Sequence, residues 1–168
     1  ATGLLVKLSS RGPMFYAQDR VGRNGKVFKM FKFRSMYVDE HRKPSWTTVN
    51  DPRVTPIGRF IRKSHIDEIP QLFNVLRGEM SLVGPRPEVP YFVEKFSDVI
   101  PYYRRRLKVR PGVTGWWQVK YKAYSESVEE IENRLKYDFF YIENMSVRLD
   151  IEILFRTIIV MLRGHGQA

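Results

Sequence analysis

Two adjacent carboxylates, Asp67 and Glu68, stand out as candidates for chemistry in this sequence. Arg62 and Lys63 lie just upstream, and cationic side chains beside a helix start suit both a carboxylate and a bound phosphate. Pro70 is tolerated only in the first turn of a helix, so we expect Asp67 to be the N-cap of a helix that follows it. Acidic first turns are common, however, and the pair by itself also fits plain helix capping.

A second candidate is the segment Pro85-Arg86-Pro87, which follows Gly84. Flanking prolines stiffen the backbone, so this segment is expected to form a rigid turn that holds the arginine in place. A preorganised guanidinium suits bidentate recognition of phosphate. The alternative is a structural turn with an exposed arginine.

A third candidate is a basic and aromatic stretch in the first third of the chain. Basic residues interleaved with aromatic ones are typical of proteins that bind single-stranded nucleic acid, and they also suit an anionic lipid surface. A charged run is equally often a solvated face. The basic residues are Arg20, Arg23, Lys26, Lys29, Lys32 and Arg34.

The elements that must position these residues predict an α+β fold. Apolar runs at 14–18 and 26–34 surround a Gly/Asn-rich turn, which favours a β-hairpin. Residues 39–56 are polar and rich in proline, and residues 110–115 contain proline and two glycines, so both are expected to be loops. Helices are expected at 57–63, 67–76, 89–97, 127–143 and 150–163, the last stopped by Gly164.

The last of these helices carries more apolar residues than a surface helix needs. It is therefore either deeply buried or in contact with lipid or a partner. Its main stripe consists of Ile151, Leu154, Phe155, Ile158 and Leu162.

Composition narrows the class of protein. The 168 residues correspond to one domain, and the absence of cysteine excludes disulfides, thiolate nucleophiles and zinc ribbons. Any metal would have oxygen ligands, which favours magnesium or manganese. The net charge of +11 points to an anionic partner, and residues 1–63 carry 14 Lys and Arg against 4 Asp and Glu. No stretch is long and apolar enough to cross a bilayer. The first residue is not Met, from which we expect a longer parent chain.

Taken together, the motifs resemble the bacterial sugar transferases, also called monotopic phosphoglycosyl transferases. The matching segments follow the family's order along nearly the whole chain. They are Gly12-Pro13-Met14-Phe15-Tyr16, Phe31-Lys32-Phe33-Arg34-Ser35-Met36, Asn50-Asp51-Pro52-Arg53-Val54-Thr55, Gly58-Arg59-Phe60-Ile61-Arg62, Asp67-Glu68-Ile69-Pro70-Gln71-Leu72, residues 74–88 and Val109-Arg110-Pro111-Gly112-Val113-Thr114-Gly115.

The resemblance implies a reaction. The family transfers a sugar 1-phosphate from a UDP-sugar to undecaprenyl phosphate and releases UMP, as the first step of exopolysaccharide, capsule or O-antigen synthesis. By analogy Asp67 is the nucleophile that forms an aspartyl-phosphosugar intermediate, and Glu68 completes the catalytic pair as a metal ligand or proton acceptor. Magnesium would neutralise the diphosphate, with Asp67 and Glu68 as its protein ligands.

The resemblance also implies substrate-binding residues. Arg62 matches the arginine that holds a phosphate, and Lys32 matches a functional position in the block that also contains Arg34. The Pro85–Pro87 turn matches the segment placed near the nucleotide, with Arg86 between the two prolines. Lys32, Arg34, Arg62, Pro85, Arg86 and Pro87 are therefore the expected substrate-binding set.

The same family places the domain at the cytoplasmic face of the bacterial inner membrane, with amphipathic helices along an anionic membrane surface. Residues 1–168 correspond to the catalytic domain, and we expect a re-entrant membrane helix largely upstream of Gly12, with Leu4 to Leu8 as its tail. Nucleic acid is not an expected partner. The rival interpretations are a basic nucleic-acid-binding module and a non-catalytic membrane scaffold. The sugar and the oligomeric state stay open.

Overall fold

A computed structural model describes residues 2–38, 51–120 and 127–162, which form an α+β domain as expected. The helices are α1 (Thr2–Ser9), α2 (Pro56–Lys63), α3 (Gln71–Leu76), α4 (Pro90–Val99), α5 (Trp116–Lys120), α6 (Val128–Glu143) and α7 (Val147–Leu162). The strands are β1 (Phe15–Val21), β2 (Val27–Phe33), β3 (Ser81–Val83) and β4 (Gly112–Thr114). Short 3₁₀ turns cover Arg23–Gly25, Ile66–Glu68 and Tyr103–Lys108.

The predicted β-hairpin is confirmed, since β1 and β2 pair antiparallel. The turn between them uses two residues with positive φ, Asn24 at 57° and Gly25 at 79°. Glycine adopts this backbone freely and asparagine more readily than most residues, which is why the turn forms here. The hairpin presents Lys32 near the end of β2.

The predicted helices α2, α4 and α6 are confirmed to within one or two residues of their expected bounds. Helix α2 begins at Pro56, and the Thr55 hydroxyl accepts a hydrogen bond from the Gly58 amide at 2.8 Å. Gly58 also lets α2 approach the end of β2 closely, because a Cβ there would lie 1.9 Å from the Ser35 carbonyl oxygen. Helix α7 begins three residues earlier than expected, at Val147.

The prediction that Asp67 caps a helix is wrong. Asp67 lies in the 3₁₀ turn Ile66–Glu68, and α3 begins at Gln71 with Pro70 as its cap residue. His65 precedes this turn in the left-handed conformation, with φ at 55°. The proline rule limits how far upstream the α-helix can begin, but it does not distinguish an N-cap from a residue in a preceding turn. The Asp67 carboxylate therefore does not serve as a helix cap.

The prediction that residues 110–115 form only a loop is also wrong. Gly112–Thr114 forms β4, which pairs in parallel with β3 and makes a second, two-stranded sheet. Strands of three residues are too short to show an alternating pattern, so no periodicity in the sequence indicates them. The close approach explains Gly112, since a Cβ there would lie 2.1 Å from the Gly84 nitrogen.

The main core lies between α4, α6 and the 3₁₀ segment Tyr103–Lys108, and the end of β1 packs onto it. Its members are Val21, Phe92, Val93, Phe96, Ile100, Tyr103, Ile131 and Leu135. A smaller cluster joins the hairpin to Met80, and another joins β3 to α6 and α7. The site described below sits where the hairpin, α2 and α3 meet the turn that precedes α4.

Helix α7 buries a different face from its main apolar stripe. Ile153 is fully buried, whereas Ile151, Phe155, Ile158 and Leu162 are each more than half exposed. Of the two sequence interpretations, deep burial is therefore wrong for this stripe. No helix within the described ranges is long and apolar enough to cross a membrane.

Some expectations fall outside the described residues. They are residues 39–50 of the predicted 39–56 loop, Asn50 of the matching segments, and the predicted end of the last helix at residues 163–164. Leu4 to Leu8, expected as the tail of a membrane helix, lie within α1.

Candidate active site

Glu68 is held by two cations. Lys32 Nζ lies 2.7 Å from Glu68 Oε1, and Arg86 Nη2 lies 2.8 Å from the same oxygen. All three side chains are mostly buried, with at most 18% of their surface exposed. Burial alone would raise the pKa of Glu68, but Arg86 and Lys32 outweigh it and hold the pKa well below its ordinary value. The two cations therefore favour the ionised form of Glu68.

Asp67 differs from its neighbour. It is only 7% exposed, yet among the described residues its carboxylate makes no hydrogen bond or ion pair. Burial raises the pKa of Asp67; the charges of Lys32 and Arg62 oppose the rise, and that of Glu68 adds to it. A buried carboxylate without a hydrogen-bond partner retains its lone pairs for another group.

A third cation, Arg62, lies beside the pair. Arg62, at the end of α2, has a pKa lowered by burial, against the raising effects of Asp67 and Asp51. Burial also lowers the pKa of Lys32, although Glu68 opposes this. The structure thus brings together Lys32, Arg62, Arg86 and both carboxylates, which come from β2, α2, the turn after β3, and the 3₁₀ turn.

The turn that carries Arg86 is held by its own carbonyl groups. Arg106 Nη2 donates to the Arg86 carbonyl at 2.9 Å, and Arg20 Nη1 donates to the Pro87 carbonyl at 3.0 Å. The Val21 amide donates to the Glu88 carbonyl at 2.9 Å. The carbonyls of three successive residues therefore accept hydrogen bonds from other parts of the fold, and residues 85–87 form irregular structure as expected.

Asn74 on α3 fixes β2 beside the acidic pair. Its side-chain oxygen accepts from the Phe31 amide at 3.1 Å, and its side-chain nitrogen donates to the Lys29 carbonyl at 2.7 Å. The same nitrogen lies 2.7 Å from Glu79 Oε2. Asn74 is completely buried and takes the place of a neighbouring strand along this edge of β2, just before Lys32.

Arg34 is placed elsewhere. Its guanidinium is buried and donates to three carbonyls of α1 and the following loop: Ser10 at 2.7 Å, Arg11 at 2.8 Å and Val6 at 3.2 Å. Its contacts among the described residues tie α1 to the end of β2, and none of them reaches the acidic pair. Its expected role in substrate binding is untested by these contacts.

The basic hairpin does not present one continuous cationic face. Arg20, Lys32 and Arg34 bind groups of the protein itself, and Lys29 forms an exposed ion pair with Asp19 at 2.9 Å. Of the six basic residues named above, these four are occupied within the fold. The cationic surface that the hairpin can offer to another molecule is therefore smaller than the sequence pattern predicts.

The acidic pair alone is not a group of metal ligands of the usual size. Within the described ranges no group of three or more His, Asp or Glu side chains could hold a metal ion. Magnesium is commonly held by one or two carboxylates together with substrate phosphates. Within the pair, the ion pairs of Glu68 use Oε1, and Asp67 forms no ion pair with a described residue, so the chemistry of the two side chains fits such a shared site.

Sequence reasoning did not identify Arg106 or Asn74, and it assigned Arg20 to a surface for anions. Arg106 lies in the run Arg104-Arg105-Arg106, where nothing in the sequence shows which arginine turns inward. Asn74 follows a helical apolar pattern and gives no sign that its amide pairs with a strand. These roles depend on contacts between residues at least 20 positions apart.

The sequence of the chain is similar to those of known proteins. Residues 1–164 match the family of bacterial sugar transferases. The chain is 46% identical over 167 residues, 99% of its length, to the UDP-N-acetylgalactosamine-undecaprenyl-phosphate N-acetylgalactosaminephosphotransferase of Aeromonas hydrophila. It is 46% identical over 157 residues, 92% of its length, to the UDP-glucose:undecaprenyl-phosphate glucose-1-phosphate transferase of Escherichia coli strain K12. It is 42% identical to the undecaprenyl-phosphate galactose phosphotransferase of Salmonella typhimurium, in an alignment of 171 positions that covers 92% of this chain. The chain spans 39% of the first relative and 34% of each of the other two.

Proposed function

The chain belongs to the bacterial sugar transferase family, and from this membership and the site geometry we propose that it transfers a sugar 1-phosphate from a UDP-sugar to undecaprenyl phosphate. The three relatives named above are undecaprenyl-phosphate phosphotransferases for different sugars. The donor is therefore proposed as a UDP-sugar without a choice of sugar. The reaction would begin exopolysaccharide, capsule or O-antigen synthesis.

Asp67 is the proposed nucleophile. A carboxylate oxygen of Asp67 bonds to the β-phosphorus of the UDP-sugar, the bond from that phosphorus to the bridging oxygen breaks, and UMP leaves. A phosphate oxygen of undecaprenyl phosphate then bonds to the same phosphorus. The Asp67–phosphorus bond breaks, and the carboxylate is restored.

The surrounding residues have separate tasks in this proposal. Arg86 and Lys32 hold Glu68 ionised and in one position, and together with Arg62 they offset the charge of the diphosphate. Glu68 and Asp67 would hold magnesium, which supplies charge neutralisation at the diphosphate when it is bound. Glu68 therefore acts as a fixed charge rather than as the attacking group.

One observation supports this division of roles. Two neighbouring carboxylates lie in the same cationic setting, yet Glu68 is paired with two cations and Asp67 has no hydrogen-bond partner in the described part of the chain. A nucleophile needs free lone pairs and partial desolvation, and Asp67 has both. A nucleic-acid-binding module or an inert scaffold has no use for this arrangement.

We also propose that the domain lies on an anionic membrane surface, at the cytoplasmic face of the bacterial inner membrane. Helix α3 follows the acidic pair directly and exposes Leu72, Phe73 and Leu76. Phe60 on α2 and the leucines of α1 are exposed as well. A lipid-borne phosphate would reach the site from such a surface.

The test combines product release with detection of the intermediate. The purified protein is incubated with magnesium and a panel of UDP-sugars, with or without undecaprenyl phosphate, and UMP is measured. We expect UMP in excess of the enzyme only with the lipid. Intact mass spectrometry without the lipid is expected to show a gain of one sugar phosphate.

The variant Asp67→Asn removes the nucleophile and keeps the side-chain size, so both the adduct and UMP release should be lost. The matched control is Asp19→Asn, an exposed aspartate paired with Lys29, which should behave as the wild type. If Asp67→Asn folds and still releases UMP at the wild-type rate, Asp67 is not the nucleophile. If no UDP-sugar yields UMP, the transferase proposal itself is wrong.

A further inference from the structure

A line of three polar contacts runs from α6 to the acidic pair. Asp138 Oδ2 lies 2.8 Å from Arg106 Nη2, and Arg106 Nη2 donates to the Arg86 carbonyl at 2.9 Å. Arg86 in turn binds Glu68 at 2.8 Å. Arg106 also donates to the Tyr103 hydroxyl at 2.9 Å through Nη1. Side-chain exposure is 8% for Arg106 and 2% for Asp138.

Arg106 makes a set of contacts that a lysine at the same position could not make. Its guanidinium reaches an anion, a hydroxyl and a main-chain carbonyl at once, which a planar fork of donors allows and an ammonium group does not. The carbonyl it holds belongs to the residue whose side chain holds Glu68. Any shift of Arg106 is therefore passed to Arg86 through the backbone.

The space around these residues is too small for them to rearrange freely. A cavity of about 10 Å³ lies between Arg86 and Arg106, and another of about 10 Å³ adjoins Asp138. A volume of this size holds about one water molecule. A substitution in this network is thus expected to displace its neighbours or leave a charge unpaired, rather than to be absorbed locally.

A second buried ion pair on the same helix provides a comparison. Glu130 and Arg134 lie 3.2 Å apart, with side chains 10% and 8% exposed. Arg134 stacks over Trp117, 4.9 Å from its ring centroid. Within the described ranges, the Glu130–Arg134 pair links successive turns of α6 and packs against Trp117 of α5.

We propose that Asp138, through Arg106, is a positioning residue that sets Arg86 against Glu68. This inference rests on the function proposed above for its activity readout and on the structure alone for its exchange readout. Asp138 touches neither the acidic pair nor a substrate. It acts by orienting the guanidinium of Arg106, which in turn fixes the backbone of the turn.

The test compares Asp138→Asn with the control Glu130→Gln, each of which removes one buried negative charge from α6 and keeps an acceptor oxygen. Hydrogen–deuterium exchange is followed at the Val21 amide, which donates to the Glu88 carbonyl, and at the Gly112 amide, which donates to the Pro85 carbonyl at 3.0 Å. Both amides should exchange faster in Asp138→Asn and at the wild-type rate in Glu130→Gln. UMP release should fall at least about tenfold in kcat for Asp138→Asn, because a displacement of about 1 Å near reacting groups can cost about a hundredfold.

Two results would overturn the inference. Equal exchange at Val21 and Gly112 in the two variants would show that Asp138 does not hold the turn, whether or not the wild type releases UMP. A kcat that falls in both variants in proportion to their urea midpoints would show a role in stability alone. If the wild type releases no UMP but the exchange rates differ as expected, the function is wrong and the positioning of Arg86 stands.

Discussion

At the scale of single residues, the site gives two chemically similar carboxylates different electrostatic properties. Glu68 and Asp67 are neighbours in the chain and share a buried, cationic setting, yet the pKa of Glu68 is lowered and that of Asp67 is raised. The difference arises chiefly from the charges of Arg86 and Lys32, which both form ion pairs with Glu68 and also hydrogen-bond to it, and neither of which pairs with Asp67. Burial without a partner destabilises the charge of Asp67, whereas charge pairing stabilises that of Glu68.

The pairing of Glu68 predicts a pH-dependent contribution to stability. A carboxyl whose pKa is lowered on folding stabilises the protein above its unfolded pKa, ordinarily 4.5, and this stabilisation is lost as the pH falls through the folded value. The variant Glu68→Gln leaves Lys32 and Arg86 without a counter-charge. We expect it to lower the free energy of unfolding at pH 7 by about 2–4 kcal/mol.

The measurement is urea unfolding of wild type and Glu68→Gln from pH 7 to pH 3, with magnesium removed by chelation. The difference between the two proteins should be constant near neutral pH and should shrink below about pH 4.5. The matched control is Glu94→Gln, on α4. A difference for Glu68→Gln that does not change with pH would contradict the charge pairing.

At the scale of elements, the site depends on how β2 and α3 are joined. Asn74 binds both the Lys29 carbonyl and the Phe31 amide, so the strand that carries Lys32 cannot slide against the helix. The turn with Arg86 is fixed separately, by Arg20 and Arg106. Two independent supports therefore set the two cations that meet at Glu68.

The variant Asn74→Ala should destabilise the protein and misplace Lys32. It leaves the amide of Phe31 and the carbonyl of Lys29 without partners in a buried place, at about 1–3 kcal/mol for each unsatisfied group. We expect a loss of about 2–4 kcal/mol in the free energy of unfolding, measured with urea. The control Asn133→Ala removes an exposed contact to Lys136 and should cost less than about 0.5 kcal/mol. Equal losses in the two variants would contradict the bridging role of Asn74.

The elements also show what the sequence can predict. The hairpin, α2, α4 and α6 follow from turn residues, caps and apolar spacing, which are local properties. The 3₁₀ turn at Asp67 was not predicted, because it depends on a left-handed conformation of His65, which only a small fraction of non-glycine residues adopt. The residues of the acidic pair and its cations were identified from their types and from family resemblance, whereas their supports Asn74, Arg106 and Asp138 act through contacts distant in sequence.

At the scale of the whole molecule, charge and apolar surface are arranged together. Residues 1–63 carry most of the net charge of +11, and they include α1 and α2, which expose the leucines of α1 and Phe60. Helix α3 adds the exposed Ile69, Leu72, Phe73 and Leu76 next to the acidic pair. Arg77 lies at this edge, 4.9 Å from the Phe73 ring centroid. Apolar side chains beside cationic ones favour an interface with anionic lipid.

The α3 surface therefore predicts vesicle binding that a single charge should weaken. Leu76 is 84% exposed, and moving such a side chain from water into an apolar layer contributes about 1.5–3 kcal/mol. The variant Leu76→Glu should lose this contribution and also repel anionic headgroups, so partitioning onto phosphatidylglycerol vesicles in a sedimentation assay should fall at least about tenfold.

The control Val99→Glu places the same charge at a residue of α4 that is 55% exposed, and it should bind as the wild type does. Since the exposed Leu76 side chain is not part of the core, both variants should keep the wild-type unfolding free energy to within about 0.5 kcal/mol. Binding of Leu76→Glu at the wild-type level would show that α3 does not face the lipid, and the route of the lipid substrate to Asp67 would then have to run over another surface.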